Sequence, residues 1–143
     1  MSANFYTYED TQRAQQKAFP DFRAKPFYAY VQSDADLEAA IAPLLTAKIL
    51  AIDTETTGTD PHTDRLRLVQ LATPNQPVVI IDLFAVKDCR LLKHLLQGNA
   101  LKVGHHFKFD WQFLTQAGMS PSGPFFDTQL AFKVWTAGIK IRS

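Results

Sequence analysis

The sequence predicts an α/β fold in which three antiparallel strands come first and strand–helix units follow, giving a mixed sheet with flanking helices. Ile49-Leu-Ala-Ile-Asp53, Leu66 to Ala72 and Val78-Val-Ile-Ile-Asp82 are apolar or alternating runs of strand length on short links. Runs so close in sequence pair most simply as antiparallel neighbours. Beyond them, Leu91, Leu92, Leu95 and Leu96, and then His105 to Ala117, carry helical periodicity, with the short run Leu101-Lys-Val-Gly104 between. Strands first, then strands alternating with helices, is the order of a mixed sheet with helices packed on it.

Each element has its own warrant. Residues 1–26 are polar and irregular, broken by Pro20 and Pro26, and read as an N-terminal arm with a candidate short helix at Gln12–Lys17. The domain proper is expected over residues 27–143. Phe27-Tyr-Ala-Tyr-Val31 is aromatic and β-branched, a short strand. Ser33-Asp-Ala-Asp36 starts a helix with an acceptor side chain and an acidic first turn. Leu37, Ile41, Leu44 and Leu45 give its apolar stripe, and Pro43 kinks it or ends its first part. Ile49 to Asp53 has the pattern of a central strand buried on both faces. Thr73-Pro-Asn-Gln-Pro77 is a turn by composition. Gly98 and Asn99 close the Leu91–Leu96 helix, and Gly118 stops the helix predicted from His105. Phe125-Phe126 suggests a brief strand, after which Asp127 caps a last helix running through Trp135.

Composition narrows the function classes. The 143 residues carry a net charge of +1, which argues against a purely electrostatic nucleic-acid binder. It suits an enzyme that keeps carboxylates at its centre and uses a few cationic contacts. The single cysteine, Cys89, has no internal disulfide partner and is expected buried or half-buried. No apolar run is long enough to span a bilayer, and the N-terminus lacks a signal core. A cytoplasmic chain with no membrane partner is therefore expected.

Asp53-Thr-Glu55 ends the most apolar strand. Strand residues two apart point the same way, so both carboxylates can face one hard cation such as Mg²⁺. The plainer reading is a pair of acids that end a strand and begin a turn. In Gly104-His-His-Phe-Lys-Phe-Asp110, Asp110 falls in the first turns of a helix, where an acid also suits the macrodipole. Phe107 and Phe109 read as core.

Ile52-Asp-Thr-Glu-Thr-Thr-Gly58 resembles the first motif of the DEDD superfamily, the ribonuclease-H-like 3′–5′ exonucleases. Lys102 to Asp110 resembles its second motif, and the link Asp60 to Ala72 and Phe126-Asp-Thr128 are similar too. The likeness is greatest to the proofreading domains of family A DNA polymerases and to ribonuclease D. It implies two divalent cations, Mg²⁺ or Mn²⁺, held by Asp53, Glu55 and Asp110. It also implies release of nucleoside monophosphates from the 3′ end of single-stranded DNA, with RNA as the other substrate. Thr54, Thr56 and Thr59 would lie near the terminal nucleotide. His106, where many relatives carry Asn, and Lys108 would reach the substrate, and Arg65 a phosphate, unless these cations are simply solvated.

The family's third motif is Tyr or His followed four residues later by Asp. After Asp127 the sequence has no Asp, Glu, His or Tyr. The expectation is a chain that stops before that motif, completed by a C-terminal polymerase domain or a complementing fragment. The alternative is a catalytically incomplete remnant that binds nucleic acid or protein. Phe132, Trp135, Ile139 and Ile141 are then expected to be exposed or to form an interface.

Overall fold

A computed structural model describes residues 28–137. The expected arm, its candidate helix at Gln12–Lys17, and Ile139 and Ile141 lie outside the described residues. Six strands form one mixed sheet: β1 (Tyr28–Val31), β2 (Ile49–Thr56), β3 (Leu66–Ala72), β4 (Val78–Asp82), β5 (Leu101–Gly104) and β6 (Phe125–Asp127). Their spatial order is β1-β4-β3-β2-β5-β6. β2, β3 and β4 are the expected antiparallel neighbours. β1 runs parallel to β4 at one edge, while β5 and β6 extend the sheet in parallel beyond β2.

Four α-helices accompany the sheet: α1 (Asp34–Ile41), α2 (Arg90–Leu96), α3 (Lys108–Gln116) and α4 (Thr128–Trp135). Ser33 caps α1, its hydroxyl accepting from Asp36 N–H at 3.2 Å. Pro43 ends rather than kinks that helix, and Ala42–Leu44 continue as one 3₁₀ turn. Gly118, at φ +78°, supplies the left-handed stop of α3.

The sheet has one covered and one open face. Val31, Leu50, Ile52, Val69, Leu71 and Ile81 are buried and join Leu37, Leu92 and Phe113 of α1, α2 and α3 in one core. The alternate residues are largely half-buried or exposed. Ile49 is 44% exposed, and Asp53 and Glu55 lie open. The expectation that β2 is buried on both faces is therefore corrected. Among the described residues helices cover only one side, so a period-two strand buries every second side chain.

Lys102 of β5 is fully buried on the covered face. Its ammonium donates to the carbonyls of Gly98 and Ser122, the latter at 2.6 Å, tying two loops together. Burial pushes its pKa down, and the carbonyls meet the need of a buried cation for partners. α4 has no buried residue, and Phe132 and Trp135 are exposed, as the sequence suggested. Among the described residues no helix is long and apolar enough to cross a membrane.

Candidate active site

Asp53 and Glu55 stand on the open face, in the last turn-ward half of the central strand. Directly opposite Asp53 on β3 is Gln70, and facing residues of an antiparallel pair share a side of the sheet. The Gln70 side-chain amide donates to Asp53 Oδ2 at 3.2 Å and to Glu55 Oε1 at 3.4 Å. One donor thus spans two carboxylates that would otherwise repel. Sequence reasoning singled out neither Gln70 nor this pairing. The only signal was the strand register, which short runs leave open by a residue.

Thr54, between the two acids, points the other way, as alternation requires. It is buried, and its hydroxyl donates to Asp110 Oδ1 at 2.6 Å. The expected contact of Thr54 with a terminal nucleotide is replaced by this link to α3. Asp110 is 3% exposed. Desolvation raises its pKa, the Thr54 hydrogen bond offsets part of that, and the charge of Asp53 adds to the rise. Among the described residues no three His, Cys, Asp or Glu side chains are close enough to share one metal ion. Asp110 Oδ1 is bonded to Thr54, whose side chain points away from the pair.

The donor set at the pair fits a divalent cation. Both groups are hard oxygen ligands, exposed to water and phosphate, as Mg²⁺ requires. The Gln70 amide already aims N–H donors at both. Asp110, as it stands, turns its bonded oxygen toward Thr54 instead.

Two turns flank the acids. After β2, the Thr56 hydroxyl donates to Gly58 O at 2.5 Å, so it shapes the turn, and Thr57 N–H donates to Arg65 O at 2.9 Å. Thr59 is exposed beyond it. After β5, the predicted helix start at His105 is corrected to Lys108. His106 adopts φ +57°, a left-handed conformation that a helix cannot absorb and that His and Asn tolerate better than most residues. A Cβ on Gly104 would come within 2.4 Å of the Phe107 ring, so the strand must end in glycine here. Phe107 is buried and Phe109 packs against the core, as expected. His106 and Lys108 are exposed.

Asp127 holds the second turn in place. Its Oδ1 accepts from His106 N–H at 3.1 Å, Gln129 N–H at 2.8 Å and Leu130 N–H at 3.2 Å, and its Oδ2 from Phe107 N–H at 2.8 Å. Desolvation pushes its pKa up, but these four donors together outweigh it and hold the carboxyl below its ordinary value. The expected cap of α4 is thus also a clamp on the start of α3.

The mixed sheet with its acids at the carboxyl end of the central strand places the chain among the ribonuclease-H-like nucleases of the DEDD superfamily. Within that class it belongs to the 3′–5′ exonuclease family, hydrolytic nucleases of the DNA polymerase I and ribonuclease D type, whose pattern matches residues 28–139. It is similar to DNA polymerase I of Aquifex aeolicus, 38% identical over 104 residues, covering 73% of this chain and 17% of that protein. It is also similar to ribonuclease D of a Shewanella species, 30% identical over 105 residues, covering 73% of this chain and 27% of that one. Among solved structures, Brucella melitensis NrnC with bound Mg²⁺ aligns with a TM-score of 0.64 and 28% identity, over 81% of this chain and 55% of that one. The chain spans less than a third of the length of either relative first named.

Proposed function

We propose that the chain is the acid-bearing part of a two-metal-ion exonuclease that shortens single-stranded DNA from its 3′ end, in the manner of a proofreading domain. The observation that carries this reading is the Asp53–Glu55 pair, open to solvent and already bridged by one donor at Gln70. Asp53 and Glu55 would hold one ion between them, and Asp53, with Asp110 reaching it through water, would hold the second. Such a pair of ions supplies an activated water and stabilises the leaving oxygen of an in-line displacement.

The chain's own residues do the positioning. β2 and β5 are parallel, so the turns after them lie at the same end of the sheet, where open α/β sheets take ligands. Thr59 and His106 sit exposed on those turns, and Lys108 is exposed at the start of α3; all three would grip the terminal nucleotide and its phosphate. Thr56 acts indirectly, by shaping the first turn. A polymerase domain is the partner that the likeness to DNA polymerase I suggests, and RNA the substrate that the likeness to ribonuclease D suggests.

Asp110 Oδ1 is bonded to Thr54 and not turned toward the acid pair, which favours a second reading: binding of a single strand without cleavage. Incubation of the chain with 5′-labelled DNA and RNA oligonucleotides and Mg²⁺ or Mn²⁺ separates the two. Stepwise 3′ shortening that Asp53→Ala abolishes supports the exonuclease. Oligonucleotide binding by the folded chain, with no shortening in either metal, overturns it in favour of the second reading.

A further inference from the structure

A second feature lies at the end of β4, on the far side of β3 from the acids. Phe84, just past β4, is 46% exposed. The Arg65 guanidinium lies 4.3 Å from its ring centroid and that of Arg67 lies 5.6 Å away. Among the described residues neither arginine forms an ion pair. Asp82 is the acid that Arg67 feels, but its oxygens are taken by Tyr30 Oη at 2.9 Å and by Phe84 N–H at 3.0 Å. Two cations around an exposed ring are thus left with charge to spare.

We propose that Arg65, Phe84 and Arg67 form a binding subsite for single-stranded nucleic acid upstream of its 3′ end. This rests on the exonuclease reading above. Aromatic rings and arginine planes stack bases without regard to sequence, and cations beside them take the phosphates. With a net charge of only +1, the chain has no general electrostatic pull on a nucleic acid. Its affinity must come from local groups such as these.

The position fits the same strand. Glu55 pairs with Leu68, and Leu68 with Asp82. Asp82 therefore lies two strand spacings, about 10 Å, from Glu55 on the same face. Phe84 follows two residues later, anchored where Leu83 N–H donates to Arg67 O at 2.8 Å. Arg65 is tied directly to the turn after β2 through its N–H on Thr57 Oγ1 at 2.9 Å. A single strand whose 3′ end meets Asp53 and Glu55 can run across β3 toward the end of β4 and onto Phe84.

The test is fluorescence anisotropy of the full chain in chelator, with a 5′-labelled dinucleotide and an octanucleotide. Phe84→Ala is expected to weaken the octanucleotide roughly 5- to 100-fold, to leave the dinucleotide unchanged, and to be rescued by Phe84→Tyr. Arg65→Gln with Arg67→Gln should flatten the dependence of log K on log salt by about 1.4. Equal octanucleotide binding by wild type and Phe84→Ala overturns the subsite alone, and points to a protein contact for this patch. Failure of the wild-type chain to bind either oligonucleotide overturns both the subsite and the functional reading beneath it. Phe84 is outside the core, so unchanged melting of the variants excludes unfolding as the cause.

Discussion

Thr54 and Asp110 are joined across the covered face of the sheet by a 2.6 Å hydrogen bond, 56 residues apart in the chain. The bond carries the second motif's acid to the back of the strand that bears the first. It also meets one lone pair of a carboxyl that burial would otherwise leave unsatisfied. The middle residue of Asp53-Thr-Glu55 thereby has a positional task of its own.

Replacing Thr54 by Val keeps the shape and removes the donor. Asp110 then loses the one bond that lowers its pKa through a side chain, and the fold should lose about 1–3 kcal/mol. Urea unfolding at pH 7 measures it, with Thr54→Ser expected near wild type. A Val variant as stable as wild type would show that the bond carries no net stabilisation.

Asp110→Asn should behave oppositely at neutral pH. The folded pKa of Asp110 is raised above its ordinary 3.8. Its favourable contribution is therefore complete below about 3.8, where it is protonated in both states, and is lost as pH rises through the folded value. Above that range the buried charge costs stability. The amide keeps the Thr54 bond and carries no charge, so Asp110→Asn should melt higher than wild type by ~5 °C at pH 8. The gap should close as pH falls toward 4. A gap that stays constant with pH would remove charge as its cause.

Gln70 offers a test of the carboxylate pair that needs no substrate. Gln70→Glu puts a third acid opposite Asp53 and removes the bridging amide. In chelator the variant should melt below wild type by ~5 °C. Millimolar Mg²⁺ or Mn²⁺ should restore it more than it raises wild type, because ligands that bind only the folded state stabilise by mass action. Absence of any metal-dependent recovery would count against a cation site between Asp53 and Glu55.

Asp127→Ala releases four backbone donors at once. The turn at His106 and the start of α4 should both loosen, lowering Tm by roughly 4–8 °C. Asp127 is held below its ordinary pKa, so its contribution is present above about 3.8 and lost as pH falls through the folded value. The difference between wild type and variant, followed by calorimetry, should narrow under acid. Hydrogen exchange at His106 and Phe107 should rise in the variant before that of the β2 core does.

The strands and most helices were readable because their signals are local. Alternation in Leu66–Ala72, the apolar run at Ile49–Ile52, the Ser33 cap and the Gly118 stop all act within a few residues. The start of α3 was misplaced because the apolar spacing continues back through Phe107 while the backbone does not. His106 turns left-handed where Asp127, 21 residues later, takes its N–H. The burial of β2 was overstated for a related reason, since an apolar run records what a strand tolerates, not where helices gather.

By itself the sequence determined that Asp53 and Glu55 share a side of one strand, since side-chain direction in a strand repeats every two residues whatever surrounds it. It determined as well that Asp127 begins a helix, because a cap is a bond to the next turn. Only the tertiary structure decided that Gln70 faces the acid pair, that Thr54 holds Asp110 behind it, and that Arg65 and Arg67 meet at Phe84. Those contacts depend on strand register and on which face the helices cover. Both are set by the packing of the whole core, a sum over distant residues that no short stretch of chain contains.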